Sequence, residues 1–361
     1  MAEGGRPSEE GLSYKRLVAG SDMLLEQGWT VLDGLLGSTW ANTLASECEA
    51  LERENLLAPH TFEFSSEDGQ ARTFRHAGRF FADLDAGRIR SEVARCAPLL
   101  ARFATVTAPA FAAALAEALP VLGLCTELCG VQVKLQLTRG VHGCAPCHYD
   151  TSDSAASRQV TLLLYLSEGW AAQHGGELQL QPFLQAPRSI VPAFDRAVLF
   201  LADRLLHRSL PPRGAGLERS RWLLTVWFDG VSVDGMLGGR WPPLLQRLVA
   251  PALYAAEYIE ALHQSLPPGE ACEALCKAQA QEISSIEADE ELEEMLSGLR
   301  EAVEQQAGDS PGSPAASGEA ALWVPPPPLK RQRVGEPASA TGNVILRTCE
   351  DEYHAVIGTD R

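Results

Sequence analysis

The chain has 361 residues, 45% hydrophobic and 21% charged, so it can bury a sizeable core and is too long for one small domain. With 30 Lys+Arg against 47 Asp+Glu the formal net charge is −17, which disfavours a nucleic-acid coat or an anionic-membrane binder because the average field repels phosphate. The nine cysteines sit in no small secreted framework, and the N-terminus lacks a basic stretch followed by an apolar one, so a cytoplasmic or nuclear protein with reduced thiols is expected.

Residues 1–19 read as a polar N-terminal segment. A short helix ends at Gln27, and residues 28–33 read as a strand. Helical spacing over 39–54 puts Leu44, Cys48 and Leu51 on one stripe, with Ser38 as the expected N-cap. Residues 60–87 are polar and aromatic, with strand fragments at 61–64 and 73–76. The aromatic set Phe62, Phe64, Phe74, Phe80 and Phe81, with Arg75 among them, fits a substrate-side flap or a piece of core. Residues 91–124 are rich in Ala and Leu and read as helix broken at Pro98, Pro109 and Pro120. Their apolar part, 106–124, contains Glu117 and two prolines, which favours a core helix over a membrane span. From Gly130 the character changes to short apolar runs at 131–137, 159–166, 177–180, 189–191, 197–201 and 222–228, bounded by Gly, Pro and polar clusters. Many short strands at this spacing indicate a sandwich or barrel. Helical spacing returns over 244–262 and 270–283. Residues 282–304 hold nine carboxylates against Arg300 alone, a pattern of a solvated helix face or of a docking surface for a basic partner. The Pro-, Ser- and Gly-rich stretch 305–328 has the composition of a disordered tail, and Lys330-Arg331-Gln332-Arg333 after it is a candidate nuclear-import signal.

The constellation with the most chemistry is His148-Tyr149-Asp150 together with His207. Residues i and i+2 of an extended segment point to the same side, so His148 and Asp150 can share one metal. Two imidazoles and a carboxylate on one face leave three positions open, the arrangement of non-haem Fe(II) oxygenases. By itself, though, His-x-Asp is a weak motif, and either histidine could be an ordinary hydrogen-bonded residue. Arg221 opens the last apolar run, where a guanidinium fork suits a carboxylate ligand, and Arg219 two residues earlier is its rival.

These features in this order resemble the 2-oxoglutarate- and Fe(II)-dependent dioxygenases, in particular the prolyl-hydroxylase branch that includes the hypoxia-inducible-factor prolyl hydroxylases. The resemblance runs from Gln27-Gly28-Trp29-Thr30-Val31-Leu32-Asp33 through His148-x-Asp150 and the stretch from Arg158 to Trp170 with Tyr165. It continues through Gly175-Gly176, the stretch from Pro192 to Phe200, His207, and Arg221 with Thr225 to Asp229. It covers about residues 20–230, loosely before 130 and closely from 148. It implies an α+β, mainly β fold: a double-stranded β-helix (jelly-roll) core with supporting N-terminal helices and a C-terminal helical extension. The implied boundaries are 20–232 for the dioxygenase domain, 233–305 for the helical extension and 306–361 for the tail. It further implies Fe(II) on His148, Asp150 and His207, and 2-oxoglutarate held by Arg221 and Tyr165, with ascorbate as an accessory. Two departures stand out. The strand before His148 carries no tyrosine, and the interval from His207 to Arg221 is longer than in the nearest relatives.

Rival readings share these residues. Cys144-Ala-Pro-Cys147-His148 fits the haem-attachment pattern, but it precedes a run of strands and follows no export signal. Cys125, Cys129, Cys144 and Cys147 could form a zinc site, although the first pair is loosely spaced, and Cys272 and Cys276 read as buried helix positions. The expected function is hydroxylation of a prolyl residue in a protein or peptide with release of succinate and CO2, without a nucleic-acid or membrane partner. The alternatives are the same chemistry on a nucleobase or small metabolite, or an interaction protein on an oxygenase core. Trp227 fits either the pocket wall or the core.

Overall fold

The computed structural model describes residues 14–66, 68–85, 87–151, 157–231 and 241–308, together with the strands Ile345–Arg347 and His354–Val356. The basic cluster 330–333, most of the expected tail and residues 1–13 lie outside the described residues. In chain order the first part comprises α1 (Tyr14–Ala19), α2 (Ser21–Gln27), β1 (Trp29–Asp33), α3 (Ser38–Arg53), β2 (Ala58–Ser65), β3 (Ala71–Asp83), α4 (Ser91–Cys96), α5 (Pro98–Arg102) and α6 (Ala108–Ala118). The strand-rich part follows as β4 (Val131–Thr138), β5 (Arg158–Tyr165), β6 (Leu178–Gln181), β7 (Arg188–Ile190), β8 (Arg196–Leu201), β9 (Leu206–Ser209) and β10 (Arg221–Asp229). Four helices close the globule: α7 (Pro243–Leu253), α8 (Ala255–Ser265), α9 (Glu270–Glu287) and α10 (Glu290–Gly308).

Strands β1–β10 form two antiparallel sheets, a larger one in the order β1-β8-β5-β10-β4-β3-β2 and a smaller one in the order β7-β6-β9, while Ile345–Arg347 pairs with His354–Val356. This is the expected α+β jelly-roll. Strand alternation explains how one chain builds two different faces. On β4, Val131, Val133, Leu135 and Leu137 face the N-terminal helices, as do Leu162 and Leu164 of β5 and Trp222, Leu224, Val226 and Phe228 of β10. They meet Leu17, Leu24, Trp40, Leu44, Leu100, Phe103, Phe111 and Leu115 from α1–α6. The opposite face, with Leu163, Tyr165, Val198 and Phe200, packs on Leu178, Leu180 and Ile190 of the smaller sheet. β5 is covered on both sides and buried throughout.

Several local expectations are corrected. Ser38 is inside α3, not its cap. The boundary residue is Gly37 at φ 79, and the Asp195 carboxylate accepts the Leu36 and Gly37 N–H groups, each at 2.9 Å. Pro109 does not break the helix. A π-turn over Phe103–Thr107 precedes it, and the Ala108 N–H bonds back to the Phe103 carbonyl, a shift by one residue that accommodates the missing N–H of Pro109. The joined helix Pro98–Ala118 is long and apolar enough to cross a membrane by length and composition, and its Leu100, Phe103, Phe111 and Leu115 are buried in the main core. The run 244–262 is two helices that meet at Tyr254. The acidic stretch 282–304 also divides, at Ala288–Asp289, where the Asp289 carboxylate accepts N–H groups of Glu291 and Leu292 and so caps α10. Its inner stripe is apolar, with Ile286, Leu296 and Leu299 packed on Val249 and Ala252 of α7.

The aromatic segment 60–87 is the β2–β3 hairpin at the edge of the larger sheet. Phe62 and Phe64 are core, packed with Leu262, Leu266, Ala271, Cys272 and Leu275 of α8, α9 and the turn between them. Phe74 packs against the same cluster.

Candidate functional site

The inner face of the larger sheet is polar where the two sheets part. From β4 come Gln136 and Thr138, from β5 Leu163 and Tyr165, and from β10 Arg221, Leu223 and Thr225, all at alternate positions. The smaller sheet contributes Leu178, His207 and Ser209, and the loop before β5 contributes Ala145, His148 and Asp150. Together with Arg79 of β3 these line one cavity of roughly 500 Å³ including its mouth.

His148 and Asp150 are not in a regular strand. His148 makes a single antiparallel bridge with His207, its N–H donating to the His207 carbonyl and the reverse, both at 3.0 Å. That bridge prolongs the β7-β6-β9 sheet by one residue pair and delivers both imidazoles to one place. His207 lies on its own strand, β9, which the apolar runs do not mark: Leu206 is the one apolar residue in Leu206-His207-Arg208-Ser209. Pairing with β6, Leu180 opposite His207, forms it.

The geometry assigns the ring protons. His148 Nδ1 is 2.8 Å from the Pro146 carbonyl and His207 Nδ1 is 3.1 Å from that of Leu205. A carbonyl only accepts, so each Nδ1 carries the hydrogen and each Nε2 turns a lone pair inward. Burial, with the His207 imidazole alongside, pulls the His148 pKa down to about 3, so the ring is neutral and ready to ligate. Asp150 Oδ1 is 3.6 Å from His148 Nε2 and 3.7 Å from His207 Nε2. Asp150 Oδ2 accepts from Thr161 Oγ1 at 2.5 Å, and its carbonyl accepts from Arg158 Nη1 at 3.3 Å. The three donor atoms lie within 4.8 Å of one another. Two neutral imidazoles and one oriented carboxylate fit a hard-to-borderline divalent cation such as Fe(II).

Arg221 is buried on the same cavity. Its Nε donates to Thr138 Oγ1 at 3.0 Å, Nη1 to the Gly176 carbonyl at 2.5 Å, and Nη2 to the Gly143 carbonyl and Ser209 Oγ, both at 3.3 Å. Gly176, at φ +72, makes this approach possible, since a Cβ there would lie 2.8 Å from Arg221 Nη1. Burial lowers the Arg221 pKa from its usual value, but a guanidinium stays charged. Burial also pushes the Tyr165 phenol up to about 12, which keeps it a neutral donor beside that cation. Arg219 is outside the cavity, donating to the Glu168 carbonyl at 2.6 Å.

The structure therefore brings His148, Asp150, His207, Tyr165 and Arg221 around one space and leaves Arg219 out. Trp227 shares the parity of Arg221 but lies farther along β10. It is buried under Arg158, whose guanidinium carbon is 4.2 Å from the ring centroid. Sequence reasoning assigned no role to Thr161, Arg158, Thr138, Ser209 or Arg79. Period-two polarity along 132–138, Gln132, Lys134, Gln136 and Thr138, was the available signal that one face of β4 lines something polar. The four-cysteine zinc reading is not met. Among the described residues neither Cys144 nor Cys147 joins Cys125 or Cys129 in a metal-ligating group.

Residues 135–229 match the family model described as the 2OG-Fe(II) oxygenase superfamily. No curated protein matches the chain. Among solved structures, prolyl 4-hydroxylases from Phytophthora capsici are 28% identical over 84% of this chain and 98% of theirs, with a TM-score of 0.66. The match extends further than residues 1–232 could supply, so it takes in the C-terminal helices as well. A Pseudomonas putida prolyl-4-hydroxylase is 24% identical over 60% of this chain and 99% of that one, with a TM-score of 0.45. A prolyl hydroxylase in complex with a hypoxia-inducible-factor peptide fragment, from Trichoplax adhaerens, is 20% identical over 60% and 90%, with a TM-score of 0.46.

Proposed function

We propose that this chain, whose residues 135–229 match the model of the 2OG-Fe(II) oxygenase superfamily, is a 2-oxoglutarate-dependent dioxygenase that hydroxylates a prolyl residue of a protein or peptide, releasing succinate and CO2. The observation that carries this reading is the single cavity lined by His148, Asp150 and His207 and, across it, by Arg221 and Tyr165. In this reading the two Nε2 atoms and Asp150 Oδ1 would hold Fe(II) beside the space open to 2-oxoglutarate. Arg221 offers its buried charge and the Nη1 hydrogen left by its internal bonds to the distal carboxylate of 2-oxoglutarate, and the Tyr165 hydroxyl donates to the same group. Thr138 and Ser209 keep the guanidinium plane fixed while that carboxylate binds. Bound Fe(II) supplies the O2-activating redox chemistry, which couples decarboxylation of the keto-acid to transfer of one oxygen atom to a C–H bond. The sheets around the site exclude water, so the charges meet in a low dielectric. The prolyl substrate rests on the likeness to the Phytophthora capsici enzymes, which matches the whole globule rather than the metal site alone.

The test is succinate formation by the purified chain with Fe(II), ascorbate and 2-oxoglutarate against a panel of proline-containing peptides. Mass spectrometry then looks for a product heavier by one oxygen on proline. Turnover that survives Asp150→Ala would sink the metal assignment, and oxidation on a residue other than proline would move the substrate class.

A further inference from the structure

A second group of metal-ligating side chains lies away from the cavity. His263, near the C-terminus of α8, faces Cys272 and Cys276, which are four residues apart on one side of α9. Cys272 Sγ is 3.5 Å from His263 Nδ1, and Cys276 Sγ is 3.8 Å from His263 Nε2. All three donor atoms lie within 4.8 Å of one another. Tetrahedral bonds of about 2.3 Å to sulfur and 2.1 Å to nitrogen put a sulfur and a nitrogen on one ion about 3.6 Å apart, close to each separation, the two separations running to different ring nitrogens. One ion takes one of the two ring nitrogens, so on loading the exposed imidazole turns to bring that nitrogen between the two sulfurs. We propose that His263, Cys272 and Cys276 form a zinc site clamping α8 to α9, separate from the iron chemistry and independent of the reaction assigned above.

The donor set selects the metal class. Two thiolates and an imidazole favour Zn(II) and disfavour Mg(II) or Ca(II), which want oxygen. The fourth position is open to water, because His263 is on the solvent side while Cys272 is buried. The location gives the clamp a purpose. Cys272 belongs to the apolar cluster of Phe62, Phe64, Leu262, Leu266 and Leu275, which fastens the β2–β3 hairpin to these helices. His76 of that hairpin also reaches the Ser265 carbonyl at 2.7 Å, and three residues on, Arg79 lines the iron-site cavity. An ion at His263 therefore stiffens the support of one cavity wall.

The full-length chain in reducing buffer is titrated with Co(II), whose thiolate charge-transfer band reports sulfur ligation. The His148, Asp150 and His207 cluster has no sulfur and cannot produce it. The expected result is one equivalent with that band, displaced by Zn(II), and a Zn(II)-dependent rise in Tm. Cys276→Ser and His263→Gln, at half-buried and exposed positions, should both lose the band and the Tm rise while keeping the wild-type circular dichroism. If Cys276→Ser does not fold, His263→Gln decides alone. A wild-type protein without the band, or a band unchanged in His263→Gln, overturns the proposal.

Discussion

Each triad member is held by a neighbour that takes no metal. The Pro146 and Leu205 carbonyls fix the two ring tautomers, and Thr161 takes one oxygen of Asp150 so that the other faces the imidazoles. Such outer partners tune ligand orientation as strongly as many ligands do. Thr161→Val keeps the shape and removes that donor, and it should weaken Fe(II) binding roughly 10- to 100-fold. Anaerobic Fe(II) titration of the metal-free chain measures it, and unchanged affinity would show that Asp150 needs no such support. Arg221 and Arg219 separate cleanly by position. Arg221→Lys keeps the charge but loses the fork, and it should raise the KM for 2-oxoglutarate by roughly 10-fold or more. Arg219→Ala should leave that KM alone, and a comparable rise in both variants would contradict the cavity assignment.

Among the elements, strands β4, β5 and β10 show how one segment serves two purposes. Odd positions of β4 and even positions of β5 and β10 feed the helix-facing core, and the alternate set feeds the cavity. A one-residue slip of β10 would exchange Arg221 for Trp222, so the core packing itself enforces the site register. The β2–β3 hairpin carries a pH-sensitive group outside the cavity. His76 is buried, donates through Nε2 to the Ser265 carbonyl and accepts the Gly78 N–H on Nδ1 at 3.1 Å. Burial, with the Arg79 charge next, lowers its pKa to about 4 from an ordinary 6.5. The unfolded chain binds this proton more tightly than the folded one, so stability rises with pH through that window and falls as pH drops from about 6.5 toward 4. By pH 5 the loss from this residue should be about 2 kcal/mol. Urea unfolding at pH 7 and pH 5 should show a smaller drop in His76→Gln than in wild type, and parallel drops would mean another group carries the effect.

At the scale of the whole molecule, the C-terminal helices are part of the support for the site. Tyr149 and Leu206, the immediate neighbours of His148 and His207, pack on Ala250, Tyr254 and Tyr258 of α7, α8 and the residue between them. Arg208, after His207, pairs with Glu260 of α8 at 3.0 Å. Tyr258→Ala should cost about 3 kcal/mol or more from the cavity it leaves, and it should weaken Fe(II) binding along with stability. Denaturant unfolding and Fe(II) titration of the same variant test the coupling. A stability loss with native iron affinity would show the helices to be mere scaffolding. The acidic face of α9 and α10 points away from this packing, with Glu287 and Arg300 paired at 2.5 Å on the surface. The net charge of −17 thus belongs in good part to these outer helices, while Arg79, Arg158, Arg208 and Arg221 are buried around the site.

The sequence by itself indicated the fold class and six of the seven strands β4–β10, and it named the residues that the structure brings around one cavity. Alternating apolar runs and the order of His148, Asp150, His207 and Arg221 are local in the chain, so they can be read without coordinates. Tertiary structure alone decided the rest. Strand β9 exists because β6 offers it a hydrogen-bonding edge, not because its own residues are apolar. The choice of Arg221 over Arg219 depended on which side chain the sheet turned inward, and their shared parity could not decide it. The partners Thr161, Thr138 and Ser209 are short polar side chains whose roles arise only once distant strands meet. Cys272 and Cys276 read as buried helix positions, which holds for Cys272, and that His263 lies 3.5 and 3.8 Å from their sulfurs could not be read from spacing because it depends on the turn between α8 and α9.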